Sequence, residues 1–395
     1  MTTEVTPHLE VWPEKYATAR PRRLLALDGG GILGIIALEI LKEIETQLAA
    51  KSGQGSDFRL GRYFDYVGGT STGAIIATAL AIGMSVNDVI EFYKTSGAAM
   101  FTKAPFYKRL WANYKSKPLT KKLQDVLGNR TFGAQDLQCL LLIVTYNANT
   151  NSPWPVSNNP FAKYNHPRHP QCNLKVPLWK LVRASTAAPT FFAPEEMHLD
   201  SEDPERPFFF VDGGVTPYNN PAYALYRMAT LPSYRLNWPT GESELMLVSV
   251  GTGSAPRGDK RIGAMGRWLL ANAKKIPSEM MSVMSADQDI NCRTAGRCVF
   301  GREIDRELGD MIPRSCDPLR GAEIPLSTSQ GKAFLYARYD PLVDAKGIEE
   351  LGLTGQVNPA HVQEMDKPKY IDEMQRVGAA YAKKYVDMSP FERFN

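Results

Sequence analysis

The chain has 395 residues, ample for a large core, and its formal net charge of +4 is too small to point to a nucleic-acid polymer as partner. Its apolar share of 43% and charged share of 22% are those of a soluble globular protein. The five cysteines are odd in number and form no C-x-x-C pair, which argues against a disulfide scaffold and against a structural zinc site.

In chain order, residues 1–21 read as a polar, Pro-containing arm with no apolar run of the kind a secretory signal needs. A reducing, cytoplasmic setting is therefore the expectation. "RRLLAL" reads as a buried strand that ends at Asp28-Gly29-Gly30-Gly31. The segment after it repeats Ile32, Ile35, Ile36, Ile40 and Ile44 at helical spacing. "KSGQGSDF" has loop composition, "YFDYVGG" is the next strand, and "GAIIATALAI" is a small-residue helix. That apolar stretch is too short to span a bilayer, so membrane contact is expected to be peripheral.

Further on, "LQCLLLIVTYNA" reads as a central strand. "PLWKLVRASTAAP" reads as a helix stopped by Pro189, and "PFFFVDGG" as a strand entering a turn. "NPAYALYRMATL" is helical, and "ELMLVSVGTGS" is another buried strand. Strands alternate with helices over residues 22–255, which predicts a mainly parallel sheet with helices on both faces. Past residue 255 the strand signal fades, apart from "KAFLYARYD". Residues 22–395 are thus expected to form a single domain, with a core over 22–255 and helical additions over 256–395.

The motif richest in chemistry is Gly69-Thr70-Ser71-Thr72-Gly73, a G-x-S-x-G between a predicted strand and a predicted helix. Such a turn presents Ser71 at the carboxyl end of the sheet, and Gly69 and Gly73 supply the small flanks it needs. The helix N-terminus behind Ser71 favours a developing oxyanion. A serine needs a base. His361 alone lies well downstream in the order usual for α/β-hydrolases. His166 and His169 sit in a Pro-rich loop without an evident third metal ligand. Asp212, at a strand end before Gly213-Gly214, could act directly if burial raised its pKa. It could equally be the Asx residue of an ordinary turn; residue types alone leave both open.

Gly29-x-Gly31-x-x-Gly34 spells a dinucleotide fingerprint, yet the second strand ends in Thr70-Ser71 instead of the acid that would bind ribose, and Asp57 falls in a loop. What remains is a run of N–H groups able to hold an oxyanion.

D-G-G-G-x-x-G, G-T-S-T-G and D-G-G in this order resemble the patatin-like phospholipase family, and "RASTAAPTFF" and "VSVGTG" resemble its intervening and following segments. The resemblance covers residues 22–255 and implies a three-layer α/β/α fold. It implies a Ser71–Asp212 dyad without His, and an oxyanion hole in the loop of Gly29, Gly30, Gly31 and Gly34. It also implies lipid acyl hydrolysis without calcium or another cofactor. One departure is Leu33, where the family commonly carries Arg.

"NCRTAGRCVFGREIDRELGD" resembles a segment of bacterial members, among which are antiphage effectors activated by cyclic dinucleotides that then degrade the membrane. That resemblance makes the last third a candidate regulatory and oligomerisation region. Arg293, Arg297, Arg302, Arg306, Lys274 and Lys275 are candidate phosphate ligands there, against the plainer reading of surface charges. "MFTKAPFYKRLWANYKSKP" mixes aromatics with cations, which suits a membrane interface or a lid. The competing functional readings are a nucleotide-binding oxidoreductase using the Gly29–Gly34 loop and a catalytically silent lipid-binding protein.

Overall fold

The computed structural model describes residues 16–100, 114–189, 191–200, 202–203, 205–255, 276–313 and 331–394. Its centre is strand β1 (Arg22–Leu27), whose apolar run is buried on both faces. β1 pairs in parallel with β2 (Tyr66–Thr70) on one side and β7 (Leu245–Val250) on the other. Side chains alternate across a strand. Leu25 and Leu27 therefore join one apolar cluster, with the helices Gly34–Ser52 (α1) and Thr72–Ala81 (α2). Leu24 and Ala26 join a second cluster, which includes Leu225 and Met228 of Ala222–Thr230 and Cys292 of Ile276–Ala295. Helices thus cover both faces, giving the three-layer α/β/α arrangement that the strand–helix alternation predicts.

Among the described residues, nine strands form the sheet. β3 (Leu140–Asn147) follows β2 in parallel. β6 (Phe208–Asp212) and β5 (Glu195–Met197) extend the sheet antiparallel. β4 (Ser152–Ser157) is antiparallel to β3 and escapes sequence reading because it carries Pro153 and Pro155. Proline cannot donate to a ladder, so it suits a strand that is paired on one side alone, as β4 is among the described residues.

The registers of β3 decide where the site forms. β4 pairs with Leu142–Asn147 along one edge. β2 pairs with Leu140–Val144 and β6 with Thr145–Asn147, so both occupy the other edge. They run in opposite directions and meet end to end, with Thr70 opposite Val144 and Asp212 opposite Thr145.

The last third departs from the expectation of helices with one strand. β9 (Leu335–Tyr339) does lie in "KAFLYARYD", but β8 (Arg297–Phe300) is a second strand, and both extend the sheet in parallel beyond β7. β8 is four residues long, too short for a periodic signal. The helix Ile371–Tyr385 packs on α1 at Gly378, where an added Cβ would lie 2.8 Å from the Ile36 carbonyl oxygen and 2.9 Å from Glu39 Cβ.

That contact predicts that Gly378→Val forces the two helices apart. Urea unfolding should show a loss of about 1–3 kcal/mol, the usual cost of overpacking.

Candidate active site

Ser71 follows β2 directly and caps α2 with φ 54° and ψ −120°, a backbone conformation costly for any residue with a side chain. Close packing holds it there. A Cβ at Gly69 would overlap the Gly73 carbonyl, and one at Gly73 would overlap the carbonyl of Leu27. The backbone N–H of Ser71 donates to Ser185 Oγ at 2.9 Å, and Ser185 Oγ donates to the Val144 carbonyl at 2.6 Å. Ser185 is fully buried and carries the hydrogen bonding of the sheet across the junction where β2 stops.

A serine at a helix N-cap ordinarily turns its hydroxyl to the helix N–H groups. Ser71 makes no such cap bond. Its Oγ donates to Asp212 Oδ2 at 2.6 Å. Asp212 Oδ1 accepts the Gly214 N–H at 2.7 Å, which fixes the carboxylate plane. Asp212 is 3% exposed, and burial pushes its pKa up to about 6; the bonds from Ser71 and Gly214 and the charge of buried Arg183 limit the rise.

The glycine loop lies against this pair, for a Cβ at Gly29 would sit 3.3 Å from Ser71 Cβ. The Gly29 N–H donates to the Asn219 carbonyl at 3.1 Å, and the Gly34 N–H closes a 3-10 turn onto Gly31 O. The Gly29 carbonyl accepts Thr252 Oγ1 at 3.1 Å. In a trans peptide the next N–H points the opposite way, so the Gly30 N–H faces away from Thr252. Gly31 has φ 59°, which glycine adopts freely, and a Cβ there would overlap the Met365 carbonyl. That same carbonyl accepts the Ile32 N–H at 2.9 Å. Of the four glycines expected to form an oxyanion site, Gly29 and Gly34 have engaged N–H groups, and those of Gly30 and Gly31 have no partner among the described residues.

Asp28 anchors the loop. Arg338 of β9 holds it in a bidentate pair, Nη1 to Oδ1 at 2.8 Å and Nη2 to Oδ2 at 2.7 Å, with both side chains buried. Burial and pairing act on Asp28 in opposite directions. Burial wins, raising its pKa to about 6, still below neutrality, and Arg338 stays charged. Leu33, which stands where the family commonly carries Arg, is buried in the core, and a guanidinium, that of Arg338, meets the loop at Asp28. Ser185, Asn219, Thr252, Met365 and Arg338 were not singled out from sequence. Ser185 and Thr252 do lie in the quoted segments "RASTAAP" and "VGTG".

The other candidates lie elsewhere. His361 Nδ1 pairs with Glu373 Oε1 at 2.8 Å and its ring stacks on Tyr370, so its contacts are not with Ser71 or Asp212. His166 and His169 accept from backbone N–H groups in their own loop. No three His, Cys, Asp or Glu side chains converge among the described residues in a way that could hold a metal.

Three of the candidate phosphate ligands, Arg293, Arg297 and Arg302, lie beside carboxylates, in line with the plainer reading of charge pairs. Arg293 is bidentate to Asp289, Arg297 pairs with Glu242, and Arg302 lies 3.7 Å from Asp340. The burial that ordered the core drew Arg293 inward, which a one-dimensional charge run cannot reveal. Lys274, Lys275 and residues 101–113 of the aromatic, basic segment fall outside the described residues. Asp57 is exposed, in a single 3-10 turn.

A strand-end serine bonded to a buried aspartate thus lies beside the glycine loop, which makes this a candidate acyl-transfer site. The family profile described as patatin-like phospholipase matches residues 25–226. The chain belongs to the patatin-like phospholipase family. It is 33% identical over 224 residues to a cGAMP-activated phospholipase of Vibrio cholerae, covering 53% of this chain and 58% of that protein. It is 28% identical over 282 residues to Patatin-T5 of Solanum tuberosum, covering 66% of this chain and 70% of that one. Among solved structures, human GIVD cytosolic phospholipase A2 aligns with 94% of this chain and 60% of its own, at TM-score 0.44 and 12% identity.

The anchoring of the loop yields a stability test. Arg338→Met leaves Asp28 buried and unpaired and should cost about 3–5 kcal/mol in urea unfolding. Asp28→Leu/Arg338→Met removes both charges and should cost much less than that single variant.

Proposed function

We propose that this protein is a lipid acyl hydrolase whose nucleophile is Ser71 and whose base is Asp212. The observation that carries the reading is the 2.6 Å hydrogen bond from Ser71 Oγ to a buried aspartate with pKa raised to about 6. A carboxylate of that basicity is mostly ionised at neutral pH, yet it accepts a proton more readily than an exposed one.

Ser71 Oγ attacks the acyl carbonyl carbon while its proton passes to Asp212 Oδ2. The carbonyl oxygen becomes an oxyanion held by the Gly30 and Gly31 N–H groups, with the N-terminus of α2 adding its partial positive charge. The carbon–oxygen bond to the leaving alcohol then breaks, and that oxygen takes the proton from Asp212. Water next gives a proton to Asp212 and attacks the acyl-serine. The Ser71 ester bond breaks, Oγ regains the proton, and the fatty acid leaves.

Phospholipid is the substrate class that the family description supports. No helix among the described residues is long and apolar enough to cross a membrane. Peripheral action on the bilayer from the cytoplasm is part of the same proposal. A second element, activation by a cyclic dinucleotide in antiphage defence, is favoured by the similarity to a protein described as a cGAMP-activated phospholipase. The oxidoreductase alternative lacks support in the geometry, since β2 ends at Thr70 and is followed by Ser71, where the acid for ribose would stand. The silent lipid-binder alternative is met by activity measurements.

Fatty-acid release from phospholipid vesicles should fall at least about 10³-fold in Ser71→Ala and in Asp212→Ala, and stay near wild type in His361→Ala. Undiminished release in Ser71→Ala contradicts the assignment. The base must be deprotonated to act, so kcat/KM should rise about tenfold per pH unit up to about 6 and then level off. A profile flat from pH 4.5 to 7.5 would remove Asp212 from that role.

A further inference from the structure

At the end of the sheet away from Ser71 lies a cleft of about 370 Å³ whose lining includes Arg23, Lys51, Phe58, Arg59, Arg62 and Tyr63. Its place follows from one β–loop–α unit. β1 begins at Arg22 and ends beside Asp28, and α1 begins at Gly34 and ends at Ser52. The two remote ends of this unit line the cleft, and its middle is the glycine loop.

The charges there are unbalanced. Arg59 donates to the backbone carbonyls of Ser56 and Phe58, and Arg62 Nε donates to Gln138 Oε1 at 3.2 Å. Neither guanidinium forms an ion pair with a carboxylate among the described residues, although the Arg59 charge reaches Glu45. Lys51 lies 3.7 Å from Glu392, with both side chains exposed. Arg23 Nη1 donates to the Phe394 carbonyl at 3.1 Å, while its buried Nε makes no hydrogen bond. The nearest carboxylate, Asp65, is 3.8 Å from that Nε and already takes Arg20 and Arg22. Glu45 turns to the Val86 N–H, and neither it nor Asp57 lines the cleft.

The cleft also carries aromatic surface. The rings of Phe58 and Tyr63 lie 6.0 Å apart at an angle of 47°, and the Arg23 guanidinium sits 4.2 Å from the Tyr63 ring centre. Three guanidiniums and an ammonium around a concave space, with no carboxylate in the lining, match the oxygens and charge of a phosphate better than the single charge of a carboxylate. The two rings are largely buried and give the cleft an apolar wall beside its cations. Solvated surface cations are commonly spread among acids on open faces. Here they converge on one cavity and share it with two largely buried rings.

We propose that this cleft binds a phosphate ester, at a site separate from the Ser71 pair. Bound oxygens would join Arg23 at the start of β1 to Lys51 at the end of α1, fastening both ends of the unit that presents Gly30 and Gly31. The proposal does not rest on the hydrolase reading. The phosphate could belong to a soluble nucleotide or to a lipid headgroup, and the two are separable by experiment.

The test is calorimetric titration of the full chain with cyclic GMP–AMP, and flotation with phosphatidylglycerol vesicles. Wild type would be compared with Arg59→Glu/Arg62→Glu, Ser71→Ala and the charge-matched control Lys121→Glu/Lys122→Glu. We expect one probe to bind wild type, Ser71→Ala and the control alike, and to bind Arg59→Glu/Arg62→Glu at least tenfold more weakly. Binding of cyclic GMP–AMP assigns the site to a soluble phosphodiester, and binding of vesicles alone assigns it to a headgroup. Arg59 and Arg62 are not core residues, so circular dichroism of that variant should match wild type. Binding of neither probe, equal binding in Arg59→Glu/Arg62→Glu, or an equal loss in the lysine control overturns the proposal.

Discussion

The structure depends on one constraint: a single edge of β3 serves two strands that arrive from opposite directions. β2 stops where β6 stops, with Thr70 opposite Val144 and Asp212 opposite Thr145. A sheet ladder left open at such a junction would strand buried backbone groups, each costing about 1–3 kcal/mol. Ser185 closes it by taking the Ser71 N–H and giving its own proton to Val144 O. The strained backbone of Ser71 follows from the same place, since the chain must leave β2 abruptly to enter α2. Strain, burial of Asp212 and the short contact between them are therefore consequences of one register.

The glycine loop is fixed by a different logic. Its conformation is dictated from outside, by Asn219, Thr252, Arg338 and Met365. The last three lie beyond the residues 25–226 that match the family profile. Strands β8 and β9 are thus part of the sheet that holds the loop, through a buried ion pair whose two charges answer each other. Removing one charge would leave the other desolvated, which is why the pair acts as an anchor.

Much of the architecture was legible in the sequence. Largely apolar runs such as "LLLIVTYN" and "LMLVSV" signal strands buried on both faces, and their alternation with helical periodicity signals the layered fold. Gly69 and Gly73 around Ser71 signal a tight turn between strand and helix. Less legible was anything set by long-range register. β4 hides behind two prolines and β8 behind its brevity. The partnership of Arg338 with Asp28 spans 310 residues, with nothing local to announce it. Arg297 and Arg302 read as basic because their partners Glu242 and Asp340 come into reach only after folding, whereas Asp289 lies one helical turn from Arg293 and only the burial of that pair needed the fold. Gly29 and Gly34 read as equivalent to Gly30 and Gly31 because spacing does not report which N–H groups the fold leaves unengaged.

The central claim is that Ser71 is a nucleophile activated by Asp212. It is tested most directly by treating the protein with an alkyl fluorophosphonate and locating the adduct by peptide mass spectrometry. The account predicts one stoichiometric adduct on Ser71, formed at least a hundredfold more slowly in Asp212→Asn. An adduct on another residue, or an unchanged rate in Asp212→Asn, would contradict it.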